Sequence, residues 1–172
     1  YASNPKPLFI ESHRLCSYNR RGLDVDVILD LMIHDIDLVL LLIKSNINSI
    51  SASGTQVLTS SIDMASVRLG FGDGSIVNLT ASRISLKQMR QMRVFQKNSY
   101  SIIDFQAQKL NSWFVNKKGL LKQKNILVTP KNALFEELNS FIDSIHNNLS
   151  EAVNSEEALM ALKIASQIQQ NI

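Results

Sequence analysis

The sequence predicts an α+β fold, a mainly antiparallel open sheet with helices packed on one face. Three observations predict it. One long, mostly apolar helical stretch occupies residues 24–43. A run of short alternating stretches punctuated by turn residues fills residues 47–128. Two further stretches with helical spacing close the chain. The 172 residues suffice for a single domain with a real core. An apolar share of 45% and a charged share of 19% suit a globular protein.

Residues 8–15 alternate in character and read as a strand. Glu11 and His13 share one of its faces, and Ser12 and Arg14 the other. Residues 18–23, with Arg20-Arg21-Gly22, read as a loop. The long helix follows, with five aspartates and a histidine inside it. At about 100° per residue, Asp26, Asp30, His34 and Asp37 fall within about 80° of one another. Ile28, Leu31, Leu38, Val39 and Leu42 point the other way. A titratable stripe on an apolar helix is costly unless it faces a cleft. Asp30 and His34 stand at i and i+4, where side chains can meet. Asp35 lies on the apolar side, so it is expected to be satisfied by backbone or by an arginine. Acids near the helix start and Lys44 at its end agree with the macrodipole.

Residues 47–57 form the next expected strand. Residues 64–71 and 75–84 read as a hairpin around Gly72-Asp73-Gly74. Val67, Leu69 and Phe71, with Val77, Leu79 and Ala81, mark the core face. Ser66, Arg68, Asn78, Thr80 and Ser82 mark a wet face or a subunit contact. Residues 92–97, 100–106, 110–116 and 123–128 complete the strands, with Lys117-Lys118-Gly119 as a turn. Thr129-Pro130 reads as a helix cap followed by proline at the first helical position. Leu134, Phe135, Leu138, Phe141, Ile142, Ile145 and Leu149 keep helical spacing after it. Ser155-Glu156-Glu157 opens the last helix, whose apolar positions are Leu159, Leu162, Ile164, Ala165 and Ile168.

Charge is uneven along the chain. Residues 83–131 hold eleven basic residues and one acid, whereas residues 132–172 hold one basic residue and six acids. The basic segment carries aromatics but no recognised nucleic-acid reader motif, so no nucleic-acid partner is expected. The longest apolar run, residues 38–43, is far short of a membrane span, and no secretory leader is expected from the opening residues. Cys16 is the single cysteine, which excludes an internal disulfide and a cysteine-based metal cluster. A cytoplasmic location, with no membrane contact, is the expectation. Tyr1-Ala-Ser-Asn-Pro-Lys-Pro7 reads as a linker entering a domain, as in a piece of a longer protein.

The Asp30-Leu-Met-Ile-His34 segment, extended by Asp37, fits an Asp-x-x-x-His motif on a helix placed before a meander of strands. Phe9-Ile-Glu-Ser-His-Arg14, Phe71-Gly-Asp-Gly74 and Leu79-Thr-Ala-Ser-Arg83 are further matching pieces. With them the chain resembles, over nearly its whole length, the C-terminal domain of the glucose–fructose oxidoreductase/inositol dehydrogenase (Gfo/Idh/MocA) family. The version here looks most like a sugar-nucleotide branch, similar to UDP-N-acetylglucosamine 3-dehydrogenases. That resemblance implies an enzyme half: a substrate-binding and oligomerisation domain acting on a sugar or UDP-sugar hydroxyl. NAD or NADP would be bound mainly by an N-terminal dinucleotide-binding Rossmann domain absent from this chain. That missing half would also bring a catalytic lysine, so the fragment alone is expected to be inactive. A homodimer or homotetramer through the sheet face is implied as well.

In this reading His34 is the general base for the hydroxyl proton, since its ordinary pKa is about 6.5. Asp30 is its neighbour on the substrate, and Asp37 stands on the same stripe. Glu11, Arg14, Arg21 and Arg83 are the remaining substrate-binding candidates. Arg20, Arg21, Arg83, Arg90 and Arg93 are the candidates for a diphosphate, which arginine forks suit, or else they are solvated strand edges and rims. Glu11, His13, Asp30 and His34 also raise a metal site, but ligand clusters are usually tighter, and no metal is expected. The alternative to an enzyme half is a non-catalytic scaffold or binding module that kept the fold.

Overall fold

The computed structural model describes residues 6–19, 24–147 and 155–172. Eight strands form one sheet. They are β1 (Pro7–Leu15), β2 (Ile47–Thr55), β3 (Met64–Phe71), β4 (Ile76–Ser82), β5 (Met89–Gln96), β6 (Ser99–Asp104), β7 (Lys109–Val115) and β8 (Leu121–Ile126). Their order across the sheet is β2-β3-β4-β1-β5-β6-β7-β8. The first strand therefore lies inside the sheet, antiparallel to β5 and parallel to β4. Every other neighbouring pair is antiparallel. The β3–β4 turn falls where Gly72-Asp73-Gly74 places it. Gly74 takes φ +86°, a conformation that side chains with a Cβ resist, and the Asp73 carboxylate accepts the Ser75 N–H at 3.0 Å.

The strand alternation sorts residues to two faces as expected. Ile10, Val67, Leu69, Val77, Leu79, Ala81, Met92 and Val94 are buried on one face. Against them pack a π-helical turn (Ile28–Met32), α1 (Ile33–Leu42) and α3 (Ser155–Gln170). Ile28, Met32, Ile36 and Val39 supply one part of that layer, and Ala161, Ile164, Ala165 and Ile168 the other. The opposite face is covered by no helix among the described residues. Across it, cross-strand neighbours Phe9, Phe95, Tyr100 and Trp113 make a ladder over four strands. Its ring centroids are 5.9, 5.5 and 4.7 Å apart.

Three expectations need correction. The long helix is not α-helical from its start: the Ile33 N–H reaches back five residues to the Ile28 carbonyl, which widens the first turn. The helix expected from Thr129-Pro130 begins later, as α2 (Ala133–Asn147). Asn132 caps it, its side chain accepting the Phe135 N–H at 3.2 Å. Finally, α2 does not join the helical layer. Leu134, Phe135, Leu138, Phe141, Ile142 and Ile145 are each between 48% and 64% exposed; Leu149 lies outside the described residues. Of the apolar positions of α3, Leu159 and Leu162 are exposed, whereas Ile164, Ala165 and Ile168, with Ala161, are buried. No helix among the described residues is long and apolar enough to cross a membrane.

Candidate active site

The polar stripe divides into a structural foot and an outward-facing remainder. Asp26 is the foot. One carboxylate oxygen accepts the Ile28 and Leu29 N–H groups at 3.0 and 3.1 Å, capping the helix start. The other accepts the Gln169 amide at 2.7 Å, tying that start to α3. Asp26 is thus occupied by the fold. Above it, Asp30 is half-buried and His34 is exposed. Asp37, also half-buried, opens into a cleft of about 780 Å³ between the end of α1 and the start of α3. Leu41, Lys44, Glu156 and Met160 line that cleft with it.

The i, i+4 spacing puts Asp30 and His34 on one face, but no hydrogen bond joins them. Asp30 turns instead to Arg83, whose Nη2 lies 3.7 Å from its carboxylate. Arg83 is 3% exposed, and the same Nη2 donates to the Val25 carbonyl at 2.8 Å. Beside this pair lies Cys16, which the sequence offered no reason to single out. Burial and the Asp30 carboxylate push its thiol pKa up, against the pull of Arg83 and Arg90.

Asp35 is buried and takes a two-pronged bond from Arg14, Nε to one oxygen at 2.8 Å and Nη2 to the other at 3.0 Å. This clamps α1 onto β1 with a buried charge properly paired, and Arg14 is spent on it rather than left for substrate. Glu11 belongs elsewhere. It shares the helix-free sheet face with Phe9 and His13, and its oxygens lie 3.4 Å from Arg93 and 3.9 Å from His13. The sheet stands between Glu11 and His34, so the two do not share a site. Arg21 lies outside the described residues. Of the arginines expected to grip a diphosphate, Arg20 also lies outside the described residues, and Arg83 is buried beneath the stripe. Among the described residues, no group of three or more His, Cys, Asp or Glu is placed to hold a metal ion.

What remains together is an exposed imidazole with one carboxylate below it and another above, on a helix clamped to the sheet. Such a row can accept a proton and hold hydroxyl groups. It is open on the side away from the sheet.

Residues 11–99, from β1 through β5 and including the whole stripe, match the GFO/IDH/MocA C-terminal domain. The chain belongs to that family. As a GFO/IDH/MocA domain it is 32% identical over 144 residues to UDP-N-acetylglucosamine 3-dehydrogenase of Acidithiobacillus ferrooxidans, covering 81% of this chain and 46% of that protein. A solved structure of the same enzyme superposes on this domain with a TM-score of 0.91 and 29% identity, over 99% of this chain and 55% of that one. Levoglucosan dehydrogenase, solved in complex with NADH, shares the fold at a TM-score of 0.82 and 11% identity, over 96% of this chain and 56% of that one. This GFO/IDH/MocA domain thus spans about half the length of the relatives it matches.

Proposed function

We propose that this domain is the substrate-side half of an NAD(P)-dependent oxidoreductase that oxidises a secondary hydroxyl of a sugar or UDP-sugar. The observation that carries the reading is the outward row of Asp30, His34 and Asp37 on a helix whose other face is buried in the core. Titratable groups kept on such a helix, turned away from the core, imply a second wall to the cleft.

His34 takes the hydroxyl proton. Asp30 and Asp37 accept hydrogen bonds from neighbouring hydroxyls and set the sugar ring against the imidazole. The Arg14–Asp35 clamp keeps the helix, and so the base, in place. The hydride acceptor, NAD or NADP, belongs to the other half. The residues described here do not fit a dinucleotide, since Gly72 and Gly74 sit in a β-hairpin and not between a strand and a helix. Two relatives support the reading, one named for a UDP-sugar substrate and one solved with NADH. The open sheet face, with its aromatic ladder and the Glu11–Arg93 pair, is the surface for a second copy.

The test is turnover, followed by nicotinamide absorbance, of a full-length polypeptide carrying this domain, with UDP-N-acetylglucosamine and free sugars as substrates. His34→Ala should lower kcat by about 10² to 10⁴. A near-normal rate in that variant would remove His34 from the chemistry.

A further inference from the structure

Arg83 offers a basic group close to the candidate base, and the simplest role for it would be to grip an anionic substrate. The geometry points to a different one. We propose that Arg83 is a positioning residue: it acts on the reaction through Asp30, holding that carboxylate in the outward row beside His34. The proposal rests on the oxidoreductase reading above and says which buried group sets up its site.

Three observations carry it. First, Arg83 is 3% exposed, so its guanidinium does not meet a ligand in the open cleft. Second, it is fixed at both ends. Its side chain donates to the Val25 carbonyl at 2.8 Å, just ahead of the helix, and its own N–H donates to the Asp63 carbonyl at 3.0 Å. The Val27 N–H likewise donates to the Ile62 carbonyl at 3.0 Å. The end of β4, the loop at Asp63 and the helix start therefore meet around one side chain. Third, the Arg83 Nη2 lies 3.7 Å from the Asp30 carboxylate, and the Asp30 side chain keeps 38% of its surface exposed. One side of that carboxylate is held from below while the other stays available above.

Electrostatics gives the arrangement a purpose. A carboxylate next to an imidazole would otherwise draw the ring into a close ion pair once the ring is protonated. A fixed cation behind Asp30 competes for that charge. It keeps the carboxylate turned from the ring, so that both can face a substrate hydroxyl. A buried arginine is costly without an anionic partner, and the Asp30 carboxylate at 3.7 Å supplies one.

The experiment uses the full-length polypeptide and compares Arg83→Gln, Arg83→Lys, Asp30→Asn and the double variant Arg83→Gln/Asp30→Asn. Arg83→Gln should lower kcat about tenfold while KM for the sugar substrate stays within about threefold, the pattern of lost alignment rather than lost binding. Arg83→Lys, which keeps the charge, should recover most of that loss. The double variant should be no slower than Asp30→Asn alone, because both changes remove one arrangement. A large rise in KM with kcat unchanged would instead place Arg83 on the substrate and overturn the proposal, and so would additive losses in the double variant. If Arg83→Gln does not fold, the same cycle is run with Arg83→Met, which keeps the side-chain length and removes the charge. A crystal structure of the Arg83 variant provides a readout independent of turnover: the Asp30 carboxylate should leave its place, and an unmoved carboxylate would sink the idea whatever the rates. No nicotinamide-linked turnover of any sugar or UDP-sugar by the unsubstituted full-length polypeptide would count against the oxidoreductase reading itself, which separates the two failures.

Discussion

Asp63 is completely buried, and its carboxylate accepts the Val57, Leu58 and Thr59 N–H groups at 2.9, 2.7 and 2.9 Å and the Thr59 hydroxyl at 2.7 Å. Burial alone would raise its pKa, but these four donors outweigh burial and hold it well below the usual carboxylate range. The folded state therefore binds fewer protons here than the unfolded chain. The stability from these bonds is complete above about pH 4, the ordinary aspartate value, and is lost progressively as pH falls below it. Asp63→Asn should lower stability at neutral pH and flatten the acid limb between about pH 4 and pH 2. Urea unfolding across that range checks this; an unchanged acid slope would show that other carboxylates dominate. Single residues were unevenly legible. Burial of Asp35 against an arginine followed from its place on the apolar side of the helix. The Arg83 partnership of Asp30 did not, because spacing along a helix says which side chains share a face and nothing about a residue arriving from a distant strand.

At the level of elements, α2 and α3 look alike in sequence and differ in what they touch. Both have a regular apolar face, but only α3 packs on α1 and the sheet. Ile168→Ala in α3 should destabilise the chain by about 3 kcal/mol, as removal of a fully buried branched side chain does. Leu138→Ala on α2, at 53% exposure, should cost under about 0.5 kcal/mol in the 172-residue chain. Chemical denaturation of the two variants compares them directly. A large loss from Leu138→Ala would mean that α2 is covered after all. Strands were legible because alternation and turn residues are local signals. The π turn was not: Asp26, Asp30, His34 and Asp37 keep one stripe across it, so a single widened turn leaves no break in the spacing. Nor was the exposure of α2, since amphipathicity states that a face needs cover and not whether this chain provides it.

For the whole molecule, the mixed α+β class and the two sheet faces could be read from the sequence. The strand order could not, because a parallel contact between the first and fourth strands leaves no local mark. The aromatic ladder on the open face had the same fate: Phe9, Phe95, Tyr100 and Trp113 line up only after the register is set. If that face seats a second copy, Trp113→Asp should convert the assembly to single copies in light scattering, with the helical layer intact by circular dichroism. An unchanged mass would place the contact elsewhere. The internal position of β1 has a further consequence, in time rather than in space. Of the eight strands β1 is made earliest, yet it needs β4 on one side and β5 on the other, so its two edges wait until the chain has passed residue 76 and residue 89. Closing that long crossover precedes any reward from it, which places the domain among slow folders of high contact order. During that interval β1 presents both of its edges, and the β2–β4 meander, complete before β5 is made, is the part of the sheet able to shield it first.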